Sequence, residues 1–286
     1  MSAIFRLLVM VLTLLAAQRA VAKEAQNAGP VDTALIVSVD VSGSVDDGRY
    51  ALQMDGIARA LEDNAVIAAI LGGRRGSIFF TLVEWSERPA ISIPWTRIAS
   101  KEDALALAAQ VRRTPRQEGE FTCVAHMMKF VSDLVVTTKP APASRVVMDV
   151  SGDGVDNCDG DEATIANRDI LVATGMTING LPINENDPSR PLGAGAFRAP
   201  GRPFQQRTLT AEIETLEPWY EKHVIGGDGA FLLPANGYKD FRHAIRQKFV
   251  VEISGLQSPW NSCLGAERAD CLRRPGRVSP ELASTR

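Results

Sequence analysis

The stretch Ala34–Ser44 reads ALIVSVDVSGS, and it decides the fold. Its first part, Ala34–Val39, is an almost unbroken apolar run, which is typical of a parallel strand buried on both faces. The run ends in Asp40, and Ser42 and Ser44 follow at alternate positions. We therefore expect one carboxylate and two hydroxyl groups to point the same way from an extended turn at the end of this strand.

Apolar runs and helical patterns alternate along the rest of the chain. Further strands are predicted at residues 77–85, 90–94, 145–150, 176–183 and 230–233, and helices at 47–62, 101–112, 123–136, 161–174, 211–223 and from Tyr238 to Phe249. The 90–94 strand is expected to be short and to lie on an edge, because Pro94 cannot donate to a neighbouring strand. The alternation predicts an α/β fold with a doubly wound, mainly parallel sheet and helices on both faces. In such sheets, ligands bind at the carboxyl ends of the strands.

The composition is that of an ordinary globular protein, with 45% hydrophobic and 23% charged residues among 286. These values exclude collagen-like, coiled-coil and wholly disordered chains. The first 22 residues differ from the rest, because an apolar run at 7–17 precedes the small-x-small pattern of Ala20-Val21-Ala22. We interpret 1–22 as a signal peptide and the protein as periplasmic or secreted. An uncleaved anchor is the alternative, although the run is short for a membrane-spanning helix.

The predicted organisation after the signal peptide has three parts. A mobile leader covers 23–32, one domain covers 33–254, and a C-terminal tail covers 255–286. Residues 184–207 hold four prolines and three glycines with little periodicity, so a surface insertion is expected at 184–208. Removing 1–22 lowers the formal net charge from −3 to −5, because Arg6 and Arg19 are lost. A mildly acidic chain is a poor candidate for binding nucleic acid or an anionic membrane.

Two later residues extend the oxygen-rich pattern of the first strand. Asp153 follows another apolar strand, and Thr122 opens a helix. Carboxylates and hydroxyls are hard oxygen donors, which suit Mg²⁺ or Mn²⁺ rather than zinc, with Ca²⁺ also possible. Two carboxylates balance the charge of a divalent ion, and the hydroxyls add none. The ion therefore remains able to attract one more anionic ligand, such as a carboxylate of a partner protein.

The order Asp40, Ser42, Ser44, Thr122, Asp153 resembles the metal-ion-dependent adhesion site of von Willebrand factor A domains. This resemblance implies an A-type fold in which the three hydroxyls bind the metal directly and the two carboxylates bind it directly or through water. Such domains commonly have glycine before the threonine, whereas Glu120-Phe121 stand there in this chain. A group of exported bacterial proteins of unknown function with an A-type domain is a closer match, carried by 83–86, 149–154, 178–183, 224–231 and 241–253.

Four cysteines are expected to form disulfides, because export places them in an oxidising compartment. If the loops of Thr122 and Asp153 both contact one metal, Cys123 and Cys158 lie near each other, and we predict a disulfide between them. Cys263 and Cys271 would form the remaining pair and close a small loop in the tail.

The sequence thus predicts an exported, divalent-metal-dependent, adhesion-type binding module that captures an Asp or Glu side chain of a protein partner. No catalytic residue is predicted, because no histidine is tied to either serine by a recognisable motif and Gly-x-Ser-x-Gly is absent. Two alternatives remain open, a metal-dependent hydrolase and a structural envelope protein with a non-functional site. Asp149, inside a strand, is expected to be a structural partner of nearby backbone or an arginine.

Overall fold

The structure, a computed structural model, describes residues 29–184 and 216–255. Five strands are present: β1 (Val31–Asp40), β2 (Ile78–Trp85), β3 (Ala90–Ile98), β4 (Ala143–Gly152) and β5 (Thr177–Pro182). Seven helices accompany them: α1 (Asp47–Glu62), α2 (Asn64–Leu71), α3 (Lys101–Arg113), α4 (Val124–Phe130), α5 (Asp161–Ala173), α6 (Leu216–His223) and α7 (Tyr238–Ser254). A π-helical turn, Val131–Val135, continues α4. The predicted signal peptide, the insertion beyond Asn184, the tail beyond Gly255 and the Cys263–Cys271 pair lie outside the described residues.

The strands form one sheet in the order β3-β2-β1-β4-β5. Every neighbouring pair is parallel except β2 and β3, which are antiparallel. The central position of β1 explains its apolar sequence, because side chains on both of its faces are buried. Leu35 and Val37 pack in the core cluster that includes α1, α2, α3 and α7, whereas Ile36 packs in the cluster that includes α4, α5 and α6. The predicted doubly wound, mainly parallel sheet with helices on both faces is confirmed.

Three strands are longer than predicted, and one of them, β4, covers Ala143–Gly152 rather than 145–150. The first, β1, begins at Val31, inside the predicted leader, and Val31 is fully buried. The edge strand β3 runs on to Ile98, past Pro94. Its register shifts between the pairs of Phe80 and Leu82, and this irregularity accommodates the proline.

Two further elements were predicted wrongly. Helix α2 was not expected, although Asp63 caps it by accepting a hydrogen bond from the N–H of Ala65 at 2.9 Å. Residues 230–233 form no strand and make only an isolated bridge between Gly180 and Leu232. Within the described ranges, no helix has the length and apolar character needed to cross a bilayer.

Candidate metal centre

The candidate site lies at the carboxyl edge of the sheet, where β1 and β4 end side by side. Val39 of β1 pairs with Ser151 of β4, so the loops that follow the two strands are neighbours. Asp40 closes β1, and Asp153 directly follows β4. A third loop, which leads into α4, brings Thr122 to the same edge. Parallel pairing therefore brings together residues that are more than 100 positions apart in the sequence.

The side-chain oxygens of Thr122, Ser42, Ser44 and Asp153 form a continuous chain of contacts, and the backbone N–H of Ser42 links Asp40 to it. The hydroxyl of Ser44 donates to Asp153 Oδ1 at 2.7 Å and lies 3.2 Å from Ser42 Oγ. Thr122 Oγ1 donates to Ser42 Oγ at 3.2 Å, and the N–H of Ser42 donates to Asp40 Oδ1 at 2.7 Å. The structure thus brings together all five side chains predicted as metal ligands.

The carboxylate of Asp40 is the least satisfied member of the cluster. It is fully buried, and its Oδ2 accepts no hydrogen bond within the described part of the chain. Burial, together with the nearby charge of Asp153, raises the pKa of Asp40 to about 8, against hydrogen bonds from Ser42 and from the backbone of Asp153 that lower it. A buried carboxylate without a partner is costly unless a cation or a donor neutralises it. This side chain is therefore suited to a bound cation.

The loops that carry Thr122 and Asp153 are tied to each other. The N–H of Thr122 donates to Asn157 Oδ1 at 2.9 Å, and the N–H of Asn157 donates to the Thr122 carbonyl at 2.8 Å. A disulfide joins Cys123 to Cys158, with their Cα atoms 5.2 Å apart. The predicted pairing of these two cysteines is therefore present, and it links the residue after Thr122 to the loop that follows β4.

Asp156 organises the same region in a way that its sequence position did not reveal. Its Oδ1 accepts hydrogen bonds from the N–H groups of Cys158, Asp159 and Gly160 at 2.8–3.0 Å. Its Oδ2 accepts one from Ala125 in the first turn of α4 at 2.9 Å. The side chain is buried and therefore holds the loop and the helix together. In the sequence, Asp156 is one of several acids in a turn-rich segment, so its structural role could not be predicted.

Tyr238 is a second contact that the sequence did not reveal. Its hydroxyl donates to Asp153 Oδ2 at 3.0 Å, while the guanidinium of Arg49 lies 5.5 Å from the centre of its ring. The sequence pattern placed Tyr238 among the apolar residues of the last helix, which is correct for the ring but not for the hydroxyl. A tyrosine buries an apolar body and presents a polar tip, so helical spacing alone cannot reveal the second role.

Asp149 belongs to a different cluster, in the interior between the sheet and α7. Its Oδ2 lies 3.7 Å from Lys248 Nζ, which in turn lies 3.2 Å from Glu252 Oε1. Asn179 donates to the same Glu252 oxygen at 2.8 Å. Burial and then the charge of Glu252 raise the pKa of Asp149 well above its usual range, and Lys248 opposes this. The expected structural role holds, but the cation is a lysine rather than an arginine.

One further group has the composition of a metal site. A ligand atom of His126 and the sulfurs of Cys123 and Cys158 lie within 4.8 Å of one another. Because the two sulfurs are bonded to each other, they offer no thiolate to a metal. His126 instead places its Nε2 2.9 Å from Asp159 Oδ2. This group is a disulfide beside a histidine–aspartate pair.

Solved structures that resemble this one have von Willebrand factor A-type folds. Proximal thread matrix protein 1 from the mussel byssus, in a structure with a zinc-occupied MIDAS motif, has a TM-score of 0.53 and 15% identity, and the match covers 79% of this chain and 48% of that chain. A von Willebrand factor type A protein from Catenulispora acidiphila has a TM-score of 0.51 and 14% identity over 78% of this chain and 43% of the other. The pilus adhesin SpaC from Lactobacillus rhamnosus GG has a TM-score of 0.53 and 14% identity over 80% and 31%.

These likenesses establish the fold and confirm the resemblance to A-type domains. The chain spans less than half the length of each of these three proteins. No curated protein sequence matches it. One family model covers residues 30–257, which includes all five strands and seven helices. The chain accordingly belongs to the family described as "Protein of unknown function (DUF1194)".

Proposed function

We propose that this protein is an exported binding module that holds a divalent metal ion at the carboxyl edge of its sheet and captures a carboxylate of a protein partner. The observation that carries the proposal is the convergence of five oxygen-bearing side chains from three loops. Asp40 and Asp153 supply the two carboxylates, and Ser42, Ser44 and Thr122 supply the hydroxyls.

The spacing of the oxygens fits a small, hard cation. In an octahedral site with metal–oxygen distances of 2.0–2.1 Å, neighbouring ligand oxygens are about 3 Å apart. The contacts from Thr122 through Ser42 and Ser44 to Asp153 are 2.7–3.2 Å long. The unpartnered Oδ2 of Asp40 adds a buried negative charge. These features favour Mg²⁺ or Mn²⁺, whereas Ca²⁺ would need longer distances and more ligands.

The charge balance favours an acidic partner. Two carboxylates neutralise a divalent ion, and the three hydroxyls leave its charge unchanged, so the ion retains affinity for another anionic oxygen. Ser44 is exposed at this edge, whereas Ser42 is buried, so a partner would approach from the side of Ser44. An Asp or Glu side chain supplies the required oxygen without any covalent step, which makes binding rather than catalysis the proposed activity.

Export of the protein and its binding role are supported by features other than the geometry of the candidate site. Residues 1–22 have the pattern of a signal peptide, and a disulfide between Cys123 and Cys158 suits an oxidising compartment such as the periplasm or the exterior. One protein of similar fold is described as a thread matrix protein with a zinc-occupied MIDAS motif, and another as a pilus adhesin. Both descriptions are compatible with a binding role for an exported A-type domain.

Isothermal titration calorimetry of the protein without residues 1–22 tests the metal. Mg²⁺ or Mn²⁺ should bind one site in the wild-type protein, and Asp153→Ala should abolish binding. Asp159→Ala is the matched control, because Asp159 is an exposed acid six positions further along the same loop. The absence of binding by Mg²⁺, Mn²⁺ and Ca²⁺ in the wild-type protein would overturn the proposal and favour a structural role.

Capture of a carboxylate is tested with two synthetic peptides, Gly-Gly-Asp-Gly-Gly and Gly-Gly-Asn-Gly-Gly, both acetylated at the N-terminus and amidated at the C-terminus so that only the first carries a carboxylate, observed by NMR in the presence of Mg²⁺. The Asp peptide should perturb resonances of the loop around Ser44, and EDTA should remove the effect. Equal responses to both peptides would contradict carboxylate capture. Turnover of a generic phosphate ester or carboxylic ester that depends on Mg²⁺ would instead support the hydrolase alternative.

A further inference from the structure

A buried tyrosine reaches the candidate metal site from the interior of the protein, past two glycines of the sheet. The ring of Tyr220, on α6, stands against Gly152 of β4 and Gly180 of β5. A Cβ atom on Gly180 would lie 2.9 Å from Tyr220 Cδ1, and a Cβ atom on Gly152 would lie 2.8 Å from Tyr220 Oη. Any other residue at either position would therefore collide with the ring or the hydroxyl. The absence of two side chains lets Tyr220 reach the end of the sheet.

The space that a Cβ atom on Gly152 would occupy is also next to Asp40 Oδ2, the oxygen that has no hydrogen-bond partner within the described residues. A Cβ atom there would lie 3.1 Å from Asp40 Oδ2, so this oxygen and Tyr220 Oη lie around the same point. Both residues are fully buried, and within the described residues neither atom has a hydrogen-bond partner. Buried polar atoms are rarely left without a partner, and a single water molecule can bridge two groups that are slightly too far apart for a direct bond.

The two groups are chemically complementary. A carboxylate oxygen can only accept a hydrogen bond, and a phenol can donate one. Tyr220 is also fixed in place, because its neighbour Trp219 packs against its ring at 5.6 Å between centroids. The indole N–H of Trp219 donates to Asp161 Oδ1 at 2.9 Å, which ties α6 to the start of α5. These contacts therefore hold the hydroxyl of Tyr220 in place independently of a bound metal.

We propose that Tyr220 is a positioning residue for the metal site, and that its hydroxyl donates through one water molecule to Asp40 Oδ2 and orients this carboxylate toward the ion. The inference rests on the proposed function, since it concerns the same site. Partners of this kind, one step behind the ligands, commonly change metal affinity by 10–100-fold when they are removed. Gly152 and Gly180 are part of the same arrangement because they provide the space.

Calorimetric titration with Mg²⁺ tests the effect on affinity. Tyr220→Phe keeps the ring in its slot and removes only the hydroxyl, so the Kd for Mg²⁺ should rise about tenfold or more. Tyr50→Phe is the control, because the hydroxyl of Tyr50 donates to the Thr114 carbonyl at 3.2 Å rather than to a metal ligand. Its Kd should equal that of the wild-type protein. An unchanged Kd in folded Tyr220→Phe would overturn the inference.

A second measurement, on metal-free protein in EDTA, detects the contact itself. The shifts in Tm caused by Tyr220→Phe and by Asp40→Asn should not add in the double variant, because the two groups share one interaction. Additive shifts would overturn the inference even if the Kd changed. The two failures are distinguishable, because a wild-type protein that binds no Mg²⁺ overturns the proposed function, whereas the cycle in EDTA reports on Tyr220 and Asp40 without metal.

Discussion

Two buried aspartates on neighbouring strands have opposite surroundings. Asp149, in the body of β4, lies 3.7 Å from Lys248 Nζ of α7, a cation that the fold itself supplies, although neither of its oxygens accepts a hydrogen bond in the described part of the chain. Asp40, at the end of β1, faces another acid, Asp153, and one of its oxygens has no partner in the described part of the chain. Burial is the largest cause of a raised pKa in both. A buried carboxylate needs a compensating positive charge or proton, and only one of the two receives a lysine.

This difference separates a structural cluster from the candidate metal site. The Asp149 cluster is closed, because Lys248 and Glu252 are both buried and Asn179, which donates to Glu252, is buried as well. The Asp40 cluster is open at one side, where Ser44 is exposed. We therefore expect that removing Lys248 lowers the free energy of unfolding, whereas removing the charge of Asp40 does not lower it in the absence of metal.

The largest effect is expected from Lys248→Met, which leaves Asp149 and Glu252 facing each other without a cation. Breaking a buried charge pair in this way typically costs about 3–5 kcal/mol of unfolding free energy. In a domain of this size, that corresponds to a fall in Tm of roughly 6–20 °C. Thermal unfolding followed by circular dichroism measures it. Adding Asp149→Asn should recover part of the loss, and a fall below about 2 °C would show that the cluster does not depend on its lysine.

The next effect concerns the disulfide between the two loops that carry Thr122 and Asp153 in the candidate metal site. Replacing both Cys123 and Cys158 by serine opens a link between residues 35 positions apart. Loop-closure entropy gives an expected loss of about 3–4 kcal/mol in unfolding free energy. The Kd for Mg²⁺ should also rise, because the loops of Thr122 and Asp153 are no longer held together. Urea unfolding with and without Mg²⁺ measures both effects, and equal stability of variant and wild-type protein would contradict the prediction.

Metal binding gives the third effect and addresses Asp40 directly. At a metal concentration about 100 times the Kd, the wild-type protein should gain about 2.7 kcal/mol of unfolding free energy relative to EDTA. Asp40→Asn should lose this gain and, without metal, should be at least as stable as the wild-type protein, because a buried carboxylate is removed. Asp149→Asn is the matched control and should keep the metal-induced gain. Thermal melts of the three proteins with and without Mg²⁺ decide between these outcomes.

The smallest effect concerns an acid that lies close to the predicted ligands but is not one of them. Asp46 follows Ser44 by two positions and caps α1, accepting a hydrogen bond from the N–H of Arg49 at 2.8 Å. Asp46→Ala should cost about 1 kcal/mol of unfolding free energy, as expected for a lost cap. The gain in stability on adding Mg²⁺ should stay the same. A lost gain would place Asp46 within the metal site.

The order of strands and helices was predictable from the sequence, because each strand of the parallel core is a short apolar run bounded by turn residues. The predictions were wrong where local patterns are ambiguous. Helix α2 follows α1 after one residue, Asp63, with no glycine or proline between them. Residues 230–233 have an apolar run, but the chain crosses the edge of β5 there through isolated bridges and forms no strand.

Part of the candidate site was predictable for a different reason. Asp40, Ser42 and Ser44 are adjacent in the sequence, and parallel pairing brings the end of β4 to them. Tyr220, Tyr238 and Lys248 could not be predicted, because each occupies an apolar helix position and contributes only its polar tip. Their contacts depend on how far a side chain reaches across the sheet, and sequence periodicity does not contain this information.

The two borders of the sheet have a consequence for how a partner can dock. The outer border of β3 carries Pro94 and an irregular register, and both features discourage the addition of a foreign strand. The outer border of β5 is covered by bridges from Ile178, Gly180 and Ile183 to the segment between α6 and α7. Strand addition, a common way for sheets to recruit peptides or to aggregate, is therefore disfavoured on both sides. Under the proposed function, recognition would therefore take place at the carboxyl end of the sheet, where Asp40 and Asp153 lie, rather than along its sides.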